Sequence, residues 1–301
     1  MRHDTVLVTP VLVVSSVIVS LSLVISSAVN ILTFAVFHRI PVDVDGGVRL
    51  SRRIRRTHLL TTKGEPIEAV RVTSRYASTA CVMYSHGNAE HTHNRRYLDY
   101  ICSLSDAMGC DVVTYDYVGY GKSSWRYVST QKRCMRSIQA VYAHVASHYP
   151  QILLMGWSLG SAPTLRLSLE QLSRPDTSPT PIKGVVLLSP LLSAIRTRFD
   201  GLGRALRPFD LFDNDSQLRL HPRLQHVNVP YLILHGTDDQ VIPMDHSVKL
   251  HSLLIHKTSN VACHFLDRVG HAIPIGRIVE YTLPMVHKLR EKKKILLSKH
   301  T

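Results

Sequence analysis

The segment 153–160, LLMGWSLG, most constrains the fold of this chain, because an apolar run ends there in the pattern Gly-x-Ser-x-Gly. A buried strand, a sharp turn and a helix form the context in which this pattern presents its serine, here Ser158, as a nucleophile. The crowded backbone of such a turn predicts that Gly156 and Gly160 have no room for side chains. The pentapeptide alone also arises by chance in roughly one chain in ten of this length, so its chemical partners must be found elsewhere.

Apolar segments with strand character alternate with helical patterns along most of the chain, which favours an α/β fold with a largely parallel sheet. The predicted strands are 55–61, 67–74, 79–84, 111–115, 151–155, 183–189, 231–234 and 262–266. The predicted helices are 92–107, 131–148, 161–170 and 276–292. With 301 residues and 45% hydrophobic content, the chain is large enough for one such domain.

The alternation fails between 190 and 228, and this stretch is predicted to form a small cap or lid. Its larger apolar residues either line an acyl-accepting groove or pack into the core. They are Phe199, Leu202, Leu206, Phe209, Leu211 and Phe212.

A serine hydroxyl attacks a carbonyl efficiently only when a base accepts its proton, and a carboxylate must orient that base. In folds with this turn the serine comes first along the chain, then the acid in a loop after a late strand, and finally the histidine after the last strand. Asp239 and His271 occupy these two places. Asp238, the neighbour of Asp239, is the competing candidate for the acid.

The turn His86-Gly87-Asn88 directly follows an early predicted strand, where a site of this kind obtains a donor for an oxyanion. We assign that donor to the backbone NH of Asn88, and a first donor to the backbone NH of Leu159. Two fixed NH groups stabilise the negative charge that develops on the substrate oxygen. An ordinary tight turn is the alternative interpretation.

The sequence predicts neither a metal ion nor a cofactor. The run Glu90-His91-Thr92-His93 does not have the HExxH spacing of a zinc site. The segment 116–123, DYVGYGKS, has the glycines of a phosphate-binding loop but matches neither the P-loop nor GxGxxG, so it is predicted to be a structural loop beside the active site.

Residues 5–37 contain no charged side chain, and a membrane span needs about 20 such residues. A cleaved signal peptide is the competing interpretation, but its apolar region usually runs only about 7–15 residues. Arginines are concentrated after the span, which predicts a single-pass protein with the remaining chain on the cytosolic face. They are Arg39, Arg49, Arg52, Arg53, Arg55 and Arg56. We therefore divide the chain into an anchor, 1–39, and a catalytic domain, 40–301, with its cap at about 190–228.

The formal net charge is +14, from 36 Lys and Arg against 22 Asp and Glu. Such an excess fits contact with nucleic acid or with an anionic membrane, although a basic surface is most often only solvated. No nucleic-acid-binding motif accompanies the charge, so we expect no nucleic-acid partner. The arginines after the span either contact acidic membrane lipids, each contributing about 1 kcal/mol, or act only in setting the topology.

From about Arg55 to Tyr281 the chain resembles the α/β-hydrolase-domain seventeen group, membrane-associated serine hydrolases that remove palmitate from cytosolic protein cysteines. The matching segments are SHGNA (85–89), YDYVGYGKSS (115–124), GWSLGSAPT (156–164), SPLLSAIR (189–196), FDLFDN (209–214), HGTDDQVI (235–242) and GH (270–271). The resemblance implies an α/β-hydrolase fold. It also implies that Asp239, at the fifth position of HGxxD, is the acid.

The anchor differs from that group, whose members attach to membranes through acylated N-terminal cysteines. This chain has no cysteine before Cys81 and carries a hydrophobic span, as the membrane-spanning domain-thirteen group does. The leading hypothesis is a membrane-anchored serine hydrolase that acts on long-chain acyl thioesters or esters, above all S-acylated proteins. A lysophospholipase or monoacylglycerol lipase acting on lipid esters is the second hypothesis. A catalytically inactive, membrane-tethered interaction module is the third.

Overall fold

The structure is a computed structural model of the chain, and its described residues form the region from Arg52 onward with several gaps. They are 20, 52–76, 78–88, 90–123, 127, 129–173, 181–194, 196–197, 212–222 and 229–297, the last eleven by backbone only. The predicted span 5–37, apart from residue 20, lies outside the described residues, as do 198–211 and 223–228 of the predicted cap. Within the described part of the chain, every helix is too short or too polar to cross a membrane.

Strands and helices alternate along the described chain. The strands are β1 Ile54–Leu60, β2 Pro66–Val72, β3 Ala80–Ser85, β4 Asp111–Tyr115, β5 Gln151–Trp157, β6 Ile182–Leu188, β7 Tyr231–Gly236 and β8 Val261–Leu266. The helices are α1 Arg95–Met108, α2 Gln131–Ala146, α3 Ser161–Leu172, α4 Asn214–Leu220, α5 Asp245–Leu254 and α6 Ile275–Leu297.

The strands form one sheet in the order β1-β2-β4-β3-β5-β6-β7-β8. Strands β1 and β2 form an antiparallel hairpin at one edge of the sheet, and β2 also pairs antiparallel with β4. From β4 onward in this order, each strand is parallel to its neighbour. Every residue of β3, β4 and β7 is buried, as expected for strands that are covered on both faces. Because the strands are parallel, the loops after β3, β5, β7 and β8 emerge at the same edge of the sheet.

Helices cover both faces of the sheet and enclose two apolar cores. One core lies under α2, α3 and α5, and the other lies under α1 and α6. Side-chain caps fix where the first two helices begin, because Asn94 accepts from the Tyr97 NH and Thr130 accepts from the Arg133 NH. Gly109 ends α1 in the left-handed conformation that glycine favours.

The predicted strands and the four predicted helices are confirmed, with ends that differ by a few residues. Two helices were not predicted, α4 and α5. The α5 sequence DHSVKLHSLL buries four residues and exposes mostly polar ones, so its periodicity is weak over only ten residues. Phe212 is almost completely buried in the core under α2 and α3. Of the two predicted roles, lining an acyl-accepting groove or packing into the core, it has the second.

Candidate active site

Ser158 lies in a sharp turn between β5 and α3, and its backbone is held at φ +53°. A serine at positive φ is strained, and such strain is characteristic of a nucleophile at this strand-to-helix turn. A Cβ on Gly156 would lie 2.5 Å from the Gly160 carbonyl oxygen, and a Cβ on Gly160 would lie 2.1 Å from that of Ser85. Both glycines are therefore required by backbone contacts, as the sequence predicted.

Three side chains from three loops form one hydrogen-bonded line. The Oγ of Ser158 lies 2.9 Å from Nε2 of His271, whose Nδ1 lies 2.8 Å from Oδ2 of Asp239. A hydroxyl that donates to Nε2 leaves Nδ1 protonated, so the imidazole donates in turn to the carboxylate. The structure brings together the three residues that the sequence singled out, from positions more than a hundred residues apart.

Asp239 is buried and its carboxylate is held by four donors. Oδ1 accepts from the NH groups of Val241 and Ile242 at 2.8 and 2.9 Å, and Oδ2 lies near both His271 and His235. Burial raises the pKa of Asp239, but the hydrogen bonds from His235, His271 and the Ile242 NH together hold that pKa well below its ordinary value.

Asp238, the competing candidate, is exposed and accepts a hydrogen bond from the Thr237 hydroxyl. Its backbone NH donates to the Val269 carbonyl oxygen, which ties the loop after β7 to the loop after β8. The structure thus places Asp239, and not its neighbour, against His271.

His235 supports the acid from inside β7, and sequence analysis did not single it out. Its Nε2 lies 2.9 Å from the Ile242 carbonyl oxygen and 3.2 Å from Oδ2 of Asp239. Its Nδ1 lies 2.6 Å from the Ser247 hydroxyl on α5. The carbonyl can only accept, so Nε2 carries the proton and Nδ1 accepts from the serine. The available signal was a histidine in an otherwise apolar buried strand.

The backbone of the His271 loop is fixed by two side chains from neighbouring strands. Nε1 of Trp157 donates to the His271 carbonyl oxygen at 3.1 Å, and the Ser189 hydroxyl donates to the same oxygen at 3.0 Å. The Trp157 ring also lies beside the imidazole, with ring centroids 5.4 Å apart. The residue before the nucleophile thus contacts the base as well, which the sequence pattern did not indicate.

The two proposed oxyanion donors lie in loops that pack against each other. Ser85 is the register partner of Gly156, so the turn after β3 lies beside the turn after β5. A Cβ on Gly87 would lie 2.9 Å from the Trp157 ring, and the Asn88 side chain accepts a hydrogen bond from Tyr120 at 2.8 Å. Leu159, the other donor residue, is buried in the turn after Ser158. Their donor role stays a prediction.

A second histidine and aspartate lie beneath the turn after β3. His86 and Asp116 are both fully buried, with Nε2 and Oδ1 3.7 Å apart. Asp116 accepts from the NH and the hydroxyl of Thr92, and a Cβ on Gly121 would lie 2.0 Å from its Oδ2. The Asp116 carboxylate thus packs directly against Gly121, within the glycine-rich segment 116–123 that the sequence predicted to be a structural loop.

A cavity of about 360 Å³ lies against Trp157, on the face of the sheet covered by α1 and α6. Its lining is aromatic and aliphatic apart from Glu90, Asn94 and Arg96. The apolar lining residues are Tyr84, Tyr97, Tyr100, Trp157, Leu188, Ala272, Ile273 and Ile278. Among the described residues, no three His, Cys, Asp or Glu side chains are placed to share a metal ion.

Comparisons with known proteins agree with this architecture. A family profile described as "Serine aminopeptidase, S33" matches residues 76–208. The α/β hydrolase domain-containing protein 17C of Xenopus tropicalis is 30% identical over 195 residues, which cover 64% of this chain and 56% of the relative. The human protein 17B is 28% identical over 194 residues, which cover 63% and 60%. The chain has an α/β-hydrolase fold and is similar to these proteins. It spans little more than half the length of the curated relatives it matches.

Solved structures show the same fold at low sequence identity. An esterase from Pyrococcus furiosus aligns with a TM-score of 0.60 at 16% identity, covering 85% of this chain and 96% of the esterase. An α/β serine hydrolase homologue from Coxiella burnetii aligns with a TM-score of 0.53 at 17% identity, covering 81% of this chain and all of the homologue. At these identities the likeness concerns the fold.

Proposed function

We propose that the chain is a membrane-anchored serine hydrolase that cleaves long-chain acyl thioesters or esters, with S-acylated proteins as its main substrates. The observation that carries this proposal is the hydrogen-bonded line from Ser158 through His271 to Asp239. The strained elbow and the likeness to the domain-containing protein 17 relatives support it. No metal ion or cofactor takes part in the chemistry that we propose.

In the first half of the reaction Ser158 Oγ attacks the acyl carbonyl carbon while His271 Nε2 accepts the hydroxyl proton. The carboxylate of Asp239 stabilises the imidazolium that forms and keeps the ring in its orientation. We assign stabilisation of the oxyanion to the NH groups of Leu159 and Asn88, and one such donor contributes about 3 kcal/mol in comparable sites. When the tetrahedral intermediate collapses, the carbon–sulfur or carbon–oxygen bond breaks and His271 gives its proton to the leaving group.

In the second half a water molecule attacks the acyl group on Ser158, and His271 accepts a proton from that water. Collapse of the second intermediate breaks the bond to Oγ, and His271 returns the proton to Ser158. The products are a carboxylic acid and the regenerated enzyme. Because Trp157 and Ser189 fix the His271 carbonyl, the imidazole keeps one position through both halves.

The cavity against Trp157 supports an apolar acyl portion for the substrate. Ligand pockets typically enclose about 300–1,000 Å³ and are mostly apolar, and this cavity is of that kind. Ile273 lines it two residues after His271, so a larger side chain there would shorten the space. If acyl chains occupy the cavity, Ile273→Trp lowers kcat/KM for palmitoyl thioesters and spares acetyl thioesters. Equal losses for both chain lengths would remove this support.

Membrane attachment and a cytosolic catalytic domain remain part of the proposal, supported by the uncharged segment 5–37 and the arginines after it. A protease added to intact microsomes should digest the domain, and full protection would contradict the cytosolic assignment. Glycosylation at the sequon beginning at Asn214 is a poor reporter, because Asn214 is buried and its amide donates to the Leu191 carbonyl at 2.7 Å.

The direct test of the activity is Ser158→Ala, examined with a fluorophosphonate probe and a soluble long-chain thioester. Loss of a triad nucleophile lowers kcat by about 10⁶ in a well-studied case, so both labelling and hydrolysis should disappear. Ser173→Ala is the matched control, because Ser173 is exposed at the end of α3 and its hydroxyl contacts the Leu169 carbonyl oxygen and Nε2 of His221, neither of which belongs to the triad.

Retention of hydrolysis within tenfold in Ser158→Ala would mean that Ser158 is not the nucleophile. A parent protein that neither labels nor hydrolyses any acyl ester would support the inactive-module hypothesis instead. Lysophospholipid and monoacylglycerol substrates in the same assay separate a lipase from a protein thioesterase by their kcat/KM values.

A further inference from the structure

A second cavity, of about 200 Å³, lies far from the triad on the other face of the sheet. Its floor is formed by β1, β2 and β4, the three strands at one end of the sheet, and its wall is formed by the C-terminal end of α2 and the residues after it. We call it the arginine pocket. It is lined by Arg55, Thr57, Ala69, Arg71, Val113, His144, Val145, His148 and Tyr149.

Two arginines face each other across the hairpin in this pocket. Arg55 on β1 is the direct register partner of Arg71 on β2, and both line the cavity. Like charges placed directly opposite each other on antiparallel strands are destabilising. Among the described residues neither arginine forms an ion pair with a carboxylate, and Arg71 forms a side-chain hydrogen bond with Tyr149.

The neighbouring arginines of β1 and the turn before it behave differently. Arg53 forms an ion pair with Asp106, and Arg56 forms one with Glu68. The arginines at positions 53, 55 and 56 are therefore of two kinds. Arg53 and Arg56 are neutralised within the fold, whereas Arg55 presents its charge to the pocket together with Arg71.

Two histidines add to the positive character of the wall. The rings of His144 and His148 lie against each other with centroids 4.6 Å apart. Burial lowers the pKa of His144, and the nearby His148 and Arg71 lower it further, which is the effect of a positive potential. An anion placed between the guanidinium groups and the imidazoles would counteract that potential and raise the pKa of His144.

One carboxylate, that of Asp111, lies behind the wall. Asp111 accepts from the Tyr149 hydroxyl at 2.5 Å and from the Ser74 NH at 2.8 Å. The C-terminal end of α2 contributes about half a negative charge, which offsets only part of two guanidinium charges. With the negative charge of Asp111 included, the pocket keeps a smaller net positive charge, which lies at its lining on Arg55 and Arg71.

We propose that the arginine pocket binds a phosphate group, with Arg55 and Arg71 as charged donors and His144 and His148 as further donors. Guanidinium groups match phosphate oxygens in geometry and charge. An anionic lipid headgroup is the source that we favour, because β1 is the first strand after the predicted span. Free inorganic phosphate offers the same chemistry. The proposal does not depend on the catalytic assignment.

The test is equilibrium dialysis of the full chain, in neutral detergent, against radiolabelled inorganic phosphate. The parent should bind one equivalent, and Arg71→Gln or Arg55→Gln should raise Kd at least about tenfold, since a charged hydrogen bond contributes roughly 1.5–3 kcal/mol. Arg95→Gln is the control, because it removes the same charge from an exposed position at the start of α1, on the opposite face.

Short-chain phosphatidic acid and phosphatidylcholine then compete for the bound phosphate. Displacement by phosphatidic acid at concentrations below those of unlabelled phosphate supports a lipid source, and displacement only by phosphate supports the free ion. Absence of stoichiometric binding to the parent, or equal weakening by Arg95→Gln, overturns the proposal. Arg55 is exposed, and its replacement relieves the cross-strand repulsion, so the thermal midpoint of Arg55→Gln without ligand should be no lower than that of the parent.

Discussion

Two histidine–aspartate pairs of the described region, His271 with Asp239 and His86 with Asp116, have opposite electrostatic character. His271 and Asp239 lie 2.8 Å apart at the edge of the sheet, and His271 is partly exposed. His86 and Asp116 lie 3.7 Å apart beneath the turn after β3, with no exposed surface on either side chain. The residue types are the same, so the difference comes from their surroundings.

Hydrogen-bond donors decide the charge of each carboxylate. Burial raises the pKa of both, but the four donors around Asp239 outweigh it and keep this side chain ionised. For Asp116 burial outweighs the bonds from Thr92 and raises the pKa to about 7. Burial also lowers the pKa of His86 to about 4, and its Nε2 has no hydrogen-bond partner among the described residues.

Only the first pair can therefore stabilise an imidazolium during a reaction. The second is a buried structural pair that accommodates a proton change poorly. Burial of a histidine with an aspartate is thus not a sign of catalysis. The number of donors distinguishes the two carboxylates, because Asp239 has two backbone NH groups and two histidines around it, whereas Asp116 has the NH and the hydroxyl of Thr92.

The largest expected difference between the pairs is in activity. Asp239→Asn should lower kcat by about 10⁴, the loss seen when a triad aspartate is replaced with the geometry intact, because His271 then takes the wrong tautomer. Asp116→Asn should change kcat by only a few fold. Both variants are compared with the parent at equal amounts of membrane protein, using a soluble thioester.

Asp238→Asn is the matched control for the catalytic aspartate, since Asp238 is the exposed neighbour in the same loop. Its kcat should stay within a few fold of the parent. If Asp238→Asn proved to be the inactive variant, the assignment of the acid would have to move by one residue.

The next expected difference is in the pH dependence of stability. The raised pKa of Asp116 stabilises the fold below about pH 4, and that contribution is lost as the pH rises towards 7. The lowered pKa of His86 acts with opposite sign, since its contribution is present above about pH 6.5 and is lost as the pH falls towards 4. In the parent the two slopes largely cancel between pH 4 and 6.5.

Asp116→Asn removes the slope due to Asp116 and leaves the slope due to His86. Relative to the parent, the free energy of unfolding of this variant should therefore fall by up to about 1.4 kcal/mol for each pH unit of acidification. Asp239 has a lowered pKa, so the stability it contributes is present above about pH 4 and is lost in acid; Asp239→Asn should differ from the parent by a constant amount above about pH 4, and the gap should narrow below it. Denaturant unfolding at several pH values measures both. Parallel curves for Asp116→Asn and the parent would contradict the assignment of charges to the buried pair.

The smallest expected effect concerns the carbonyl of His271. Ser189→Ala and Trp157→Phe each remove one donor to that oxygen, and one neutral hydrogen bond contributes about 1 kcal/mol, so kcat should fall roughly fivefold to tenfold in each. KM for a short thioester should stay unchanged, because neither donor is assigned to the substrate. An unchanged kcat in the double variant would mean that these contacts do not position the base.

The sequence predicts the part of this site that depends on local pattern. The elbow glycines, the order of the catalytic residues and the apolar strands each leave a signal within a few residues. The residues that hold Asp239 and His271 in place leave no such local signal. His235 contacts Ser247 on a helix with weak periodicity, and Trp157 contacts His271, which is more than a hundred residues away in the chain. The opposition of Arg55 and Arg71 likewise depends on the register of the hairpin, which their residue types alone do not fix.

The most direct test of the central claim is rapid-quench mass spectrometry of the full chain mixed with a palmitoyl thioester. The account predicts a transient palmitoyl ester on the peptide that contains Ser158, absent from Ser158→Ala and strongly reduced in His271→Ala. Thioester hydrolysis at the parental rate with no acyl group on Ser158, or with the acyl group on one of the five cysteines, would contradict it.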